Sequence, residues 1–255
     1  MRFAVLASAL SLAVAGAPAA AMVGGAPPAP QALVRTVVML VGSRDTACTA
    51  TVIARDLLLT VAHCVLPGAQ YHLLDPQSAR SAEVHEAVAI ERHPKFEIQR
   101  LFRHVANADV ALIKLAAPLP AGFTPATLGS ETEAVAAGDA FMVAGYGVAV
   151  RGDAASGGVL RAATLVAAAD GDAQIRLFDP HTKGDRTGLG ACTVDSGAPV
   201  FRDRGGSSAL VGMVSWSTGA RARPGCGGLT GVTALAPYRK WIIETARTLG
   251  SPLTP

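Results

Sequence analysis

Ten short runs rich in apolar and β-branched residues, each four to nine residues long and bounded by turn-forming residues, recur along this 255-residue chain. Many short strands at near-regular spacing predict an all-β barrel or sandwich. The first set is Leu33–Val41, Thr49–Ile53, Leu57–Thr60, Glu83–Ile90 and Val110–Leu115. The second is Ala140–Ala144, Val159–Ala167, Gln174–Phe178, Ala209–Ser215 and Gly228–Ala234. Between them, Ala116 to Gly129 is rich in Pro, Ala and Gly and reads as a crossing linker. It divides the chain into two comparable halves. The last stretch differs. From Pro237 to Leu249, Tyr238, Trp241, Ile242, Thr245 and Leu249 fall near helical spacing among charged residues. That pattern predicts an amphipathic helix packed on the body.

The first 21 residues read as an export signal rather than as part of the fold. Arg2 gives a short positive start, Phe3 to Ala15 an apolar stretch, and Ala19-Ala20-Ala21 the small residues that signal peptidase needs. The apolar stretch is short for a bilayer, which takes roughly 20 apolar residues. An uncleaved anchor is the competing reading. No later stretch is long and apolar enough to cross a membrane. The expected location is therefore secreted or periplasmic, with no membrane contact after signal cleavage. Net charge is only +3, with no basic or acidic run, so the charge pattern gives no reason to expect a nucleic-acid partner.

An oxidising compartment lets disulfides persist. The chain has four cysteines, Cys48, Cys64, Cys192 and Cys226, which allow three pairings. No pair has the close spacing of a zinc knuckle. No His-Glu-x-x-His pattern or Cys/His cluster argues for a metal, and no cofactor is expected.

Three segments carry chemistry, in the order His, Asp, Ser. They are Leu59-Thr60-Val61-Ala62-His63-Cys64, Asp109-Val110-Ala111-Leu112 and Cys192-Thr193-Val194-Asp195-Ser196-Gly197-Ala198-Pro199. A serine hydroxyl is a weak nucleophile until a neighbouring base takes its proton. Histidine suits that task because its ordinary pKa lies near neutrality. A carboxylate behind the imidazole fixes the tautomer and stabilises the imidazolium formed during attack. The third segment lacks the Gly-x-Ser-x-Gly elbow, and its order differs from that of subtilisins and α/β-hydrolases. His72, His85, His93, His104 and His181 lack such company and read as ordinary strand or surface residues.

These segments resemble the trypsin/chymotrypsin family. Thr60 to Cys64 is similar to its T-A-A-H-C, Asp109 to Leu112 to its D-I-A-L, and Asp195 to Pro199 to its D-S-G-G-P. Ser215-Trp216 matches its S-W, and Met22-Val23-Gly24-Gly25 resembles its amino terminus I-V-G-G. The resemblance implies an all-β fold of two six-stranded antiparallel β-barrels with a C-terminal α-helix. The protease domain would be 22–255, with a first barrel over about 22–128, a second over about 129–235 and a helix over about 237–249. It implies a catalytic triad of His63, Asp109 and Ser196, an oxyanion hole from the amides of Val194 and Ser196, and disulfides Cys48–Cys64 and Cys192–Cys226. It also implies substrate-binding positions at Gly190, Ser215, Trp216, Ser217 and Gly231. A freed Met22 amine would pair with Asp195 to order the site. The partners implied are a protein or peptide substrate and, as a candidate, a protein inhibitor; a monomer is expected.

The sequence also departs from that pattern. No Arg or Lys precedes Met22, so cleavage after Ala21 by signal peptidase is expected to create the activating terminus. Val194 stands where the family has glycine, so strain or a turned peptide is expected there. Gly190 stands at the pocket base in place of the Asp of trypsins, which points away from Lys/Arg specificity and towards a small or medium apolar side chain, unless Asp185 reaches in. The reading is a serine endopeptidase. Its rival, motivated by Val194 and the altered pocket, is a catalytically weak or inactive homologue that binds proteins through the cleft. Arg151-Gly152-Asp153 reads as a solvated surface loop.

Overall fold

The computed structural model describes residues 22–75, 83–132, 134–169, 174–203 and 205–253. The predicted signal segment 1–21 lies outside them. Strands dominate. The first six are β1 (Val37–Gly42), β2 (Thr46–Ala54), β3 (Leu57–Thr60), β4 (Tyr71–Asp75), β5 (Glu83–Arg92) and β6 (Ala111–Leu115). They pair antiparallel in the order β1-β2-β3-β6-β5-β4 and close through β1 and β4. Closure removes the exposed edges an open sheet would leave. Leu40 faces Cys48 on β2 and Leu73 on β4, and Leu58 faces Ile113 on β6. All four residues of β3 are buried, so this strand is covered on both faces and reads as an unbroken apolar run.

The second half holds β7 (Thr127–Leu128), β8 (Ala140–Gly145), β9 (Arg161–Ala167), β10 (Gln174–Phe178), β11 (Pro199–Asp203), β12 (Ser208–Ser217) and β13 (Leu229–Ala234). Six of these run in the order β11-β8-β9-β10-β13-β12 and close through β11 and β12. The seventh, β7, adds a short parallel pairing along β12, with Thr127 opposite Ala209. The architecture is thus the expected pair of six-stranded antiparallel barrels. Buried residues of the first barrel share one cluster with Phe201, Leu210 and Met213 of the second and with Ile242 and Ala246 of the terminal helix. That shared core holds the two barrels together.

Three strands lay outside the predicted set. β4 is broken by polar residues and β7 is only two residues long. β11 begins at Pro199, which reads as a turn but is tolerated at the first position of a strand. The predicted start at Leu33 gives way to a 3-10 turn over Gln31–Leu33. A short helix, α1 (Ile98–Phe102), was also unforeseen. The terminal helix, α2 (Arg239–Thr248), follows a 3-10 turn over Ala236–Tyr238 and buries Ile242 and Ala246. No helix among the described residues is long and apolar enough to cross a membrane.

Candidate active site

The chain leaves the buried strand β3 at Thr60 and turns through a 3-10 segment, Ala62–Cys64. Cys64 is bonded to Cys48 on β2, with Cα atoms 6.2 Å apart. This link fixes the turn that carries His63. Asp109 lies just before β6 and is fully buried. One of its oxygens accepts the His63 main-chain N–H at 2.9 Å. The other accepts His63 Nδ1 at 2.8 Å and the Ser215 hydroxyl at 2.5 Å. A buried carboxylate needs such donors to remain charged. Because Asp109 can only accept here, Nδ1 carries the ring proton and Nε2 is left as the basic atom.

Ser215 reaches Asp109 because β12 is irregular. Its pairing with β13 shifts register between Val214 and Trp216, and a bulge of this kind re-aims a side chain. The sequence assigned Ser215 to the substrate strand. The structure adds a hydroxyl that fastens the second barrel to the carboxylate of the first.

Ser196 sits in a tight loop of the second barrel. The Gly197 amide donates to Val214 at 2.8 Å, and the Ala198 amide to Asp195 at 2.9 Å. Gly197 has φ +81°, and a β-carbon there would strike the Thr49 carbonyl, so only glycine lets β2 come this close. The Thr49 amide donates to the Ser196 carbonyl at 2.8 Å. Cys64 Sγ lies 3.8 Å from the same carbonyl. Ser196 is therefore brought beside the disulfide that carries His63. The second bond, Cys192–Cys226, ties the serine loop to the segment before β13.

Val194 has φ +76°. This left-handed region is costly for a β-branched residue, by about 1–3 kcal/mol. Of the two outcomes considered from sequence, strain is the one observed, and hydrogen bonds hold the residue there. The Val148 amide donates to the Thr193 carbonyl at 3.0 Å. In a trans peptide the carbonyl and the next N–H point in opposite directions, so the Val194 N–H points away from Val148. The Ala198 bond to the Asp195 carbonyl orients the Ser196 N–H in the same manner. Among the described residues, neither of these two N–H groups is engaged by a protein acceptor.

Asp195 is fully buried. It accepts the Gly147 amide at 2.8 Å and the Cys192 amide at 2.9 Å. A β-carbon on Gly147 would collide with its carboxylate. Burial pushes its pKa up to about 7, with the two amides opposing that rise. Met22 is fully buried in the second barrel's core cluster, and Val23 forms a bridge with Gly190.

Gly190 is buried under Gly227 and Thr230. Ser217 pairs with Thr230, and Trp216 pairs with Gly231. The Gly231 backbone lies directly against the Trp216 ring. Asp185 is exposed and brings no buried charge to this region. Sequence reasoning missed His104, whose ring stacks on Trp216 with centroids 4.2 Å apart. Nothing local in Arg103-His104-Val105 signals that contact. It also missed the buried His93, which packs against Tyr238 and Trp241 of the C-terminal segment.

A family model described as Trypsin matches residues 22–242. Transmembrane protease serine 9 of Rattus norvegicus is 29% identical over 227 residues, covering 82% of this chain and 20% of the rat protein. Vitellin-degrading protease of Bombyx mori is 28% identical over 217 residues, covering 80% of this chain and 77% of its own length. The chain thus spans about a fifth of the rat protein and most of the silkworm one. The matched region takes in both barrels, the His63–Asp109 pair and the Ser196 loop, and the chain belongs to the trypsin family of serine-type endopeptidases.

Proposed function

We propose that this chain is an exported endopeptidase in which His63, Asp109 and Ser196 act as one triad. Ser196 Oγ attacks the scissile carbonyl while His63 Nε2 takes its proton. His63 then delivers that proton to the leaving amine, and water releases the acyl-enzyme by the same route. Asp109 holds the tautomer and stabilises the imidazolium. The N–H groups of Val194 and Ser196 receive the oxyanion. The observation that carries this reading is the buried Asp109 carboxylate, bonded at 2.8 Å to His63 Nδ1 and at 2.5 Å to Ser215.

Signal peptidase cleavage after Ala21 would free the Met22 amine. Its ammonium would pair with the buried Asp195 carboxyl, which has no cationic partner among the described residues. The full burial of Met22 and the bridge from Val23 to Gly190 support this route. Gly190 at the pocket base supports a small or medium apolar side chain ahead of the scissile bond, and the exposure of Asp185 fits the same preference.

The test is labelling of the processed chain with a fluorophosphonate probe. The expected result is one label, on Ser196, lost in Ser196→Ala and His63→Ala. A correctly processed protein that never labels would favour a binding module over an enzyme.

A further inference from the structure

Thr49 lies on β2 of the first barrel, yet its amide and hydroxyl make three hydrogen bonds within or beside the serine loop of the second. Its amide donates to the Ser196 carbonyl at 2.8 Å. Its hydroxyl donates to the Val194 carbonyl at 2.9 Å and accepts the Tyr146 amide at 3.2 Å. Its own carbonyl accepts the Thr60 hydroxyl at 2.9 Å, and the residue is fully buried. The hydroxyl has one proton and spare lone pairs, so giving to Val194 while taking from Tyr146 uses it consistently.

The arrangement matters because Val194 is the strained residue of the loop. A β-branched residue persists at positive φ only where its surroundings over-determine it. Val148 holds the peptide before Val194, and Thr49 holds the peptide after it. Without the hydroxyl, the peptide between Val194 and Asp195 has a lower barrier to turning. That turn would free ψ of Val194, so the strained φ could relax out of the left-handed region with only the Val148 bond to the Thr193 carbonyl left to keep the Val194 N–H on its bearing.

We propose that the Thr49 hydroxyl is a positioning residue for the oxyanion hole, clamping Val194 in its left-handed conformation from the opposite barrel. The proposal rests on the endopeptidase reading above. Thr49 touches no substrate; it acts through Val194.

The test compares Thr49→Val, which keeps the shape and removes the hydroxyl, with Thr49→Ser, which restores it. For Thr49→Val we expect kcat to fall about 10- to 100-fold, less than the 10²–10³ for a donor lost outright, with KM within about threefold. Thr49→Ser should recover most of that loss. In a Val194→Gly background, Thr49→Val should cost less than about threefold, because glycine needs no clamp. Equal costs in both backgrounds, or a Thr49→Val enzyme as fast as the parent, would overturn the proposal. Hydrogen exchange supplies a readout that needs no activity. The Asp195 and Gly197 amides should exchange faster in Thr49→Val than in Thr49→Ser. Unchanged protection would sink the clamp even in a protein that never labels, whereas loss of labelling alone would sink only the endopeptidase reading.

Discussion

The imidazole of His104 lies flat on the indole of Trp216, with centroids 4.2 Å apart and planes 11° from parallel. His104 itself has φ +52°. In the orientation that satisfies both ends, the Gln174 amide accepts Trp216 Nε1 at 3.1 Å and donates to the His104 carbonyl at 3.0 Å. Such a stack contributes about 0.5–1.5 kcal/mol. We expect His104→Ala to lose that much stability. In a Trp241→Phe background, which leaves Trp216 as the sole tryptophan, emission should shift to the red. Unchanged emission and an unchanged urea midpoint would remove the stack from consideration.

The same ring gives a pH dependence. Burial, with the charge of Arg176 nearby, holds the His104 pKa below its ordinary value of 6.5. His93 shifts the same way, through burial and then Lys95. The unfolded chain therefore binds protons that the folded chain refuses. Stability should fall as pH drops from 6.5 towards the lowered values. Thermal melts of the processed protein should show this slope, and His104→Gln should reduce it to the part that His93 contributes.

Asp195 should behave in the opposite sense, and only before processing. With Met22 in peptide linkage, its pKa stands at about 7 against an ordinary 3.8. The folded state then holds a proton that the unfolded state has released. Stability of the unprocessed chain should be greatest below about pH 4 in this contribution and decline as pH rises through about 7. After cleavage, the Met22 ammonium should abolish that decline. Melts of the Ser196→Ala protein with and without residues 1–21 check the contrast, and sequencing should find Met22 first. Another mature terminus, or identical pH profiles, would refute the activation route.

Val194→Gly should relieve the positive-φ strain. The relief of about 1–3 kcal/mol outweighs the roughly 0.5–1 kcal/mol that glycine's extra unfolded freedom costs. We expect a net gain of about 1 kcal/mol in urea unfolding and a rise in kcat. A slower or less stable variant would mean that valine, not glycine, suits this loop.

Asp109→Asn should lower kcat by about 10⁴, because the ring then loses the acceptor that sets its tautomer. Ser215→Ala should act in the same direction but less strongly. It removes one of three donors to the carboxylate, costing about 1.5–3 kcal/mol of stability. Steady-state kinetics on a peptide substrate, beside denaturant melts, separate the two effects.

Much was legible in the sequence because it is local. Runs such as Leu57-Leu58-Leu59 announce buried strands by themselves, and the helix over Arg239–Thr248 follows from side-chain periodicity. The His63, Asp109 and Ser196 segments are each only a few adjacent residues long, so their resemblance to one family could be read directly. The cysteine pairing could not be read from counting, since the spacing left three choices. The structure forms Cys48–Cys64 and Cys192–Cys226.

Tertiary structure alone decided which distant groups meet. Thr49 and Val194 are 145 residues apart, and Ser215 and Asp109 are 106 apart. No local pattern encodes either bond. Each exists because two closed barrels share one core, which sets a strand of one against a loop of the other. Sequence therefore determined the elements and the chemical groups that this chain carries. Packing decided that the buried carboxylate would be shared between His63 and Ser215, that His104 would cover Trp216, and that a strained valine would be held by a threonine from the opposite barrel.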